Sequence, residues 1–291
     1  MSRIRQHVRA GFGLIELMIS MVLGLLVLGA AIAVFQSNQR TFNANEGQNR
    51  IQEGARAAFE MMSRDIRAAG GTACSSLARP DVERTYEAEE TALLVNPIAG
   101  DANEFTVVSG DDAGYQIESA TTTTVVLRPG PTGWKLSDAF KTGDKVVLCN
   151  STLLYVVTLS GVDDGTRTLS WPSPGTPVAI YQAGEAPAAV SAARYRTARW
   201  YLNGGSLYVN RNGVADAVVP GVTALTVSYL QRGGTSYITS PTSWPDVAAI
   251  RVNMTLRGQK TVGGDVQVDG SNYITRNTSN VAAVRIRERA P

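Results

Sequence analysis

The chain has 291 residues, 44% of them hydrophobic, enough to bury a sizeable core as one large domain or two small ones, and this excludes a disordered chain. Formal charge is +2, from 27 basic and 25 acidic residues, but Arg3, Arg5 and Arg9 stand in an acid-free N-terminal stretch, and beyond position 11 the balance is 24 basic to 25 acidic. That remainder has no basic run to meet a phosphate backbone, so no nucleic-acid partner is expected.

Residues 12–35, FGLIELMISMVLGLLVLGAAIAVF, form an apolar run broken only by Glu16 and by small or hydroxylated residues. As a helix it spans roughly 36 Å at about 1.5 Å per residue, against a bilayer core of about 30 Å. Arginines precede it and no Lys or Arg follows until Arg40, which places the N-terminus in the cytoplasm and the rest outside. An uncleaved signal anchor satisfies this pattern. So does a secretory signal peptide cut at the A-x-A site of Ala31 and Ala33. Both leave Glu16 unexplained, because a carboxylate at a membrane centre costs on the order of 3 kcal/mol and is rarely there without a partner.

A third reading supplies that partner. The segment Ala10-Gly11-Phe12-Gly13-Leu14-Ile15-Glu16-Leu17-Met18 resembles the class III signal of type IV pilins. The resemblance implies that a prepilin peptidase cuts after Gly11 and methylates the new terminus at Phe12, and that Glu16 is the acid used in assembly. Such a cut leaves an α-ammonium about one helical turn from Glu16, so the carboxylate can be neutralised in low dielectric by its own terminus or a neighbour's. Gly13 departs from the threonine that most pilins carry and weakens local helix propensity by up to about 1 kcal/mol.

Beyond the apolar run, Ile51, Ala55, Phe59, Met62 and Ile66 recur at spacings of three and four. Arg50, Glu53, Arg56, Glu60, Arg64 and Asp65 fill the other faces, so the stripe is expected to hold a head domain. With Gly70-Gly71 as C-cap, the helix is expected over 12–69, and Gly24, Gly29, Gly47 and Gly54 mark places for a bend.

From residue 72 onward, short Val-, Thr-, Tyr- and Leu-rich runs alternate with Gly, Pro, Asn and Asp, the punctuation of β structure. Strands are expected at 104–108, 123–128, 145–149, 153–159, 197–202, 207–210, 222–230, 247–256 and 281–287, with a hairpin at Asn203-Gly204-Gly205. In 247–256 the alternation turns Ala248, Ile250, Val252, Met254 and Leu256 to the core. The order Arg199-Trp200-Tyr201-Leu202, Leu207-Tyr208, Val219-Pro220-Gly221-Val222, Trp244-Pro245 and Ile250-Arg251-Val252 resembles the distal part of PilW-type minor pilins and of the J-type minor pseudopilin of type II secretion. The closing Val284-Arg285-Ile286-Arg287-Glu288-Arg289 is similar to their final strand, although PilW-like chains commonly end in Arg-Asn-Arg.

Catalytic templates are sparse. The only histidine, His7, lies in the expected leader, which removes Ser-His, Cys-His and His-metal arrangements, and no motif sets a serine beside Lys135, Lys141, Lys145 or Lys260. Asp111-Asp112 and Asp163-Asp164-Gly165 lack the spacing of an EF-hand and are expected to be solvated turns. Trp134, Trp171, Trp200 and Trp244 are expected in core and turn packing rather than on a carbohydrate-binding face. In an exported head, Cys74 and Cys149 are most simply one disulfide; the alternative is two buried free thiols.

The expected architecture is α+β and pilin-like: a leader at 1–11, a membrane half of the helix at 12–35, an amphipathic half at 36–71 and a β-rich periplasmic head at 72–291. No catalytic residue, metal or cofactor is expected. The resemblance implies a minor pilin that helps initiate assembly in a tip complex. Its partners would be other minor pilins, the major pilin, prepilin peptidase, the inner-membrane assembly platform and inner-membrane lipid. A minor pseudopilin of type II secretion and a secreted or anchored adhesive module remain the alternatives.

Overall fold

The computed structural model describes residues 13–73, 78–80, 87–111, 113–172, 190–261 and 273–284, without the side chains of 259–261. Gly11, Phe12, Cys74, Asp112 and residues 285–287 of the expected final strand lie outside them. In chain order the elements are α1 (Leu14–Ala68), α2 (Ala88–Leu94), β1 (Ile98–Gly100), β2 (Phe105–Gly110), β3 (Tyr115–Ala120) and β4 (Thr124–Leu127). There follow α3 (Leu136–Ala139), β5 (Lys145–Cys149), β6 (Leu154–Thr158), β7 (Gly161–Asp163), β8 (Thr168–Ser170) and β9 (Ser191–Asn203). The last are β10 (Ser206–Arg211), β11 (Val214–Pro220), β12 (Val222–Gln231), β13 (Tyr237–Ile238), β14 (Val247–Thr261) and β15 (Tyr273–Ala283). A long apolar N-terminal helix followed by a strand-rich head is a pilin-like α+β layout.

The chain divides into two compact units, Met1–Arg50 with Gly258–Thr275, and Ile51–Arg257 with Arg276–Pro291. In the first, α1 shows its apolar side chains all round: Leu14 is 83% exposed and even Ile32 is 49% exposed. A helix apolar on every face finds its solvent in lipid or in other helices, and α1 is long and apolar enough to cross a membrane. None of its four internal glycines breaks it. Gly47, expected as a bend, is instead buried, and a Cβ on Gly258 would lie 3.7 Å from its Cα.

In the second unit the stripe of α1 is buried as Ile51, Ala55, Ala58, Met62 and Ile66, with Phe59 only half-buried. Gly54 is a point of close approach rather than a bend, because a Cβ there would sit 2.9 Å from Val219 Cγ1. The helix stops one residue before the expected end, as Gly70 takes φ +67° and donates its N–H to Val108 O at 2.9 Å.

The larger sheet is organised by β9. Its C-terminal part pairs with β10 on one edge and β2 on the other, while its N-terminal part pairs with β5 and β3. The Asn203-Gly204-Gly205 signal is realised as the β9–β10 hairpin, with Gly204 at φ +55° and Gly205 at φ +74°. One core fills the β3–β8 region around Ile117, Leu127, Phe140, Leu148 and Trp171. The smaller sheet has the order β13-β12-β14-β15. In β14, Ile250, Val252, Met254 and Leu256 are buried as expected, but at the strand start Val247 and Ala249 are buried while Ala248 is half-buried. A register shift between Leu230 and Gln231 of the paired β12, which leaves Ala248 without an opposite residue, accounts for the inward turn of Val247. The last described strand is Tyr273–Ala283, not 281–287.

Candidate functional site

The helix opens at Leu14, with Gly13 O accepting from the N–H groups of Glu16 at 3.0 Å and Leu17 at 3.2 Å. Glu16 therefore lies in the first turn, the positive end of the helix dipole, where a carboxylate is favoured. It is exposed and has no side-chain partner among the described residues. Ser20 bonds back to Glu16 O at 2.8 Å, so its hydroxyl is satisfied within the helix, as an apolar surrounding requires. The arrangement offers one negatively charged acceptor on the first turns of a helix whose following residues to Phe35 are almost all apolar or small.

The same helix carries a second special carboxylate, which sequence reasoning placed on a polar face. Asp65 is buried, its side chain 6% exposed. It accepts from the indole N–H of Trp200 at 2.9 Å and from Arg211 Nη2 at 2.9 Å, with Arg196 Nη2 at 3.7 Å from its other oxygen. Trp200 is fully buried, and Arg211 lies over its ring at 5.7 Å. The contact ties α1 to β9 and β10 through a charge-assisted network. The signal available in the sequence was only the pair of arginines and the tryptophan far along the chain, which no local pattern joins to position 65.

Other expected site residues fall as follows. Asp163 Oδ1 accepts from the backbone N–H groups of Gly165 and Thr166, while Asp164 accepts from the backbone and hydroxyl of Ser137. Those bonds hold both carboxyls below their ordinary range, through Thr166 and Ser137 respectively, and make them turn-formers. No cluster of three metal-ligating side chains occurs among the described residues. Trp171 and Trp200 are buried, Trp134 stacks on Tyr115 at 5.4 Å, and Trp244 meets Tyr229 edge-on at 5.0 Å. Burial pushes the Tyr229 phenol well above its ordinary pKa, and its hydroxyl lies 3.0 Å from Asp101 O. Cys149 is buried at the end of β5, and its expected partner Cys74 lies outside the described residues.

Residues 7–32 match the family model described as the prokaryotic N-terminal methylation motif. No curated protein and no solved structure matches the chain. The matched stretch contains Gly11, Phe12 and Glu16 and the start of the exposed apolar helix. A prepilin-type signal of this kind implies processing by prepilin peptidase and assembly with other pilins, and it fits membrane anchoring and incorporation into a pilus. It supports a pilin-type protein, a type IV pilin or a pseudopilin.

Proposed function

We propose that the chain is a minor pilin of PilW type, which joins other minor pilins in a tip complex and primes polymerisation of the major pilin. The observation that carries this reading is the coincidence of the methylation motif at 7–32 with a Glu16 carboxylate that has no partner among the described residues, on the exposed apolar first part of α1. In this reading the peptidase cuts after Gly11, and Phe12 becomes the methylated terminus. Glu16 is then neutralised against an α-ammonium, its own or a neighbour's, as the subunit docks. The N-terminus lies in the cytoplasm, the head lies in the periplasm, and Cys74 is the partner of Cys149. The head supplies surface to neighbouring subunits and performs no catalysis.

The test is the N-terminal mass of protein recovered from sheared filaments, together with a Glu16→Ala strain. A methylated Phe12 terminus and loss of filaments with Glu16→Ala are expected. A Val34 terminus would overturn the reading in favour of ordinary secretion. Loss of type II secretion with normal piliation would assign the chain to the secretion machine.

A further inference from the structure

The outward face of the smaller sheet carries an uncharged polar shelf. A depression of about 360 Å³ is lined by Ala224 and Thr226 of β12, Asn253 and Thr255 of β14, and Asn277 and Ser279 of β15, with the backbone around them. Register places Thr226 opposite Asn253 and Ala224 opposite Thr255, so these side chains form cross-strand rows on one face. Their neighbours Leu225, Val227, Val252 and Met254 point into the core.

The chemistry of the lining is selective. Solvated sheet faces ordinarily carry interspersed Lys, Arg, Glu and Asp, yet every side chain bordering this depression is neutral. Thr255 Oγ1 lies 2.7 Å from Asn277 Oδ1, which fixes that amide with its N–H groups left over as donors. Thr226, Asn253 and Ser279 spend no side-chain hydrogen bond within the described fold. The shelf therefore presents hydroxyls and amides, each able to donate and accept, beside the methyl of Ala224. Further along β14 on the same face, Arg251 covers the Tyr237 ring at 3.7 Å and bounds the shelf with a flat aromatic–guanidinium platform.

We propose that this shelf binds a neutral carbohydrate chain. Vicinal sugar hydroxyls match an amide that donates and accepts at once, and the lining itself holds no charge to pair with a phosphate, while the Arg251 guanidinium at its border is stacked on the Tyr237 ring. The volume falls at the low end of the range for ligand sites, about 300–1,000 Å³, and the open form suits a polymer crossing the face rather than an enclosed monomer. The proposal stands apart from the assembly role, because Glu16 and the apolar helix take no part in it.

The experiment is saturation-transfer NMR of the full chain in nanodiscs with chitotetraose and, separately, maltotetraose. Saturation of the ring protons of at least one sugar is expected. The triple variant Thr226→Ala, Asn253→Ala, Ser279→Ala should bind about tenfold more weakly, a change of about 1.4 kcal/mol. Its thermal unfolding should match the parent chain, because none of the three side chains holds the fold. Absence of transfer to both sugars overturns the proposal, as does equal binding by the variant. If neither sugar binds and the variant fails to enter filaments, the face belongs to a neighbouring subunit and the proposal falls while the assembly role stands.

Discussion

Replacing Asp65 by alanine removes the acceptor shared by a buried indole and a guanidinium. Trp200 is fully buried, so its N–H has no water to turn to, and an orphaned buried donor costs about 1–3 kcal/mol. Breaking a fully buried ion pair costs about 3–5 kcal/mol, but the side chains of Arg211 and Arg196 are 27% and 34% exposed and recover part of their hydration. Together these give a loss of about 2–4 kcal/mol for Asp65→Ala. At about 2–4 °C per kcal/mol for a domain of this size, the unfolding midpoint falls by roughly 4–16 °C. Asp65→Asn keeps an oxygen for the indole and loses only the charge, so it should cost less than half as much. Thermal unfolding of the detergent-solubilised chain, followed by tryptophan fluorescence, measures both variants against Asp216→Ala on the exposed strand β11. An Asp65→Ala midpoint equal to that of the control would refute the anchoring argument.

Four further outcomes are expected. Gly54→Val, whose Cβ would meet Val219 Cγ1 at 2.9 Å, should destabilise by about 1–3 kcal/mol in the same assay despite its better helix propensity than glycine. Glu90 is fully buried and accepts from the backbone of Val156 at 3.1 Å and of Glu87 at 3.0 Å; Glu90→Ala should cost about 1–3 kcal/mol, and Glu90→Gln less. The hydrogen bond and charge of Lys145 hold the Glu89 carboxyl below its ordinary pKa of 4.5. Its stabilisation is thus present above the unfolded value and lost as pH falls through the folded one; a pH-resolved melt below 4.5 should show a loss of about 0.2–1 kcal/mol that Lys145→Ala abolishes. If Cys149 is joined to Cys74 as proposed, Cys149→Ser should lower stability by about 4 kcal/mol, and non-reducing peptide mapping should recover the linked pair.

Much of the head was legible because it obeys local rules. Strand β5 falls on 145–149 as its Val-Val-Leu-Cys run predicts, and the Asn-Gly-Gly signal closes a hairpin where positive φ is required at two successive positions. The misses have a common cause in tertiary context. The middle of strand β15, Arg276-Asn277-Thr278-Ser279-Asn280, carries two asparagines and little apolar content, and takes its form from lying beside β14 in the sheet. Strand β9 begins at Ser191, earlier than the expected 197, because the Ala- and Arg-rich start has a weak intrinsic preference but pairs with β5 and β3. Asp65 was assigned to a polar face because helical periodicity counts charge as outward. Its burial depends on donors 135 and 146 residues away, which no window of sequence contains.

Two of the five carboxylates of α1, Asp65 and Glu16, are held in opposite arrangements. Asp65 is taken from water and repaid within the fold by an indole and two guanidiniums, so its charge is already committed before any neighbour arrives. Glu16 has no such side-chain partner among the described residues and stands on a stretch of exposed apolar side chains. In a membrane that state is costly, and the proposed docking step relieves it only when a positive terminus comes within reach. A polar group satisfied internally stabilises one conformation of the subunit, whereas one left unsatisfied favours the next contact. Moving the acid away from the terminus, as in the double variant Glu16→Leu, Ser20→Glu, keeps the charge and the hydrophobic length but displaces the carboxylate by about one turn, roughly 5.4 Å. If neutralisation at a fixed register drives docking, that variant should be inserted in the membrane and absent from filaments; normal filament yield would show that the charge alone, without its position, is sufficient.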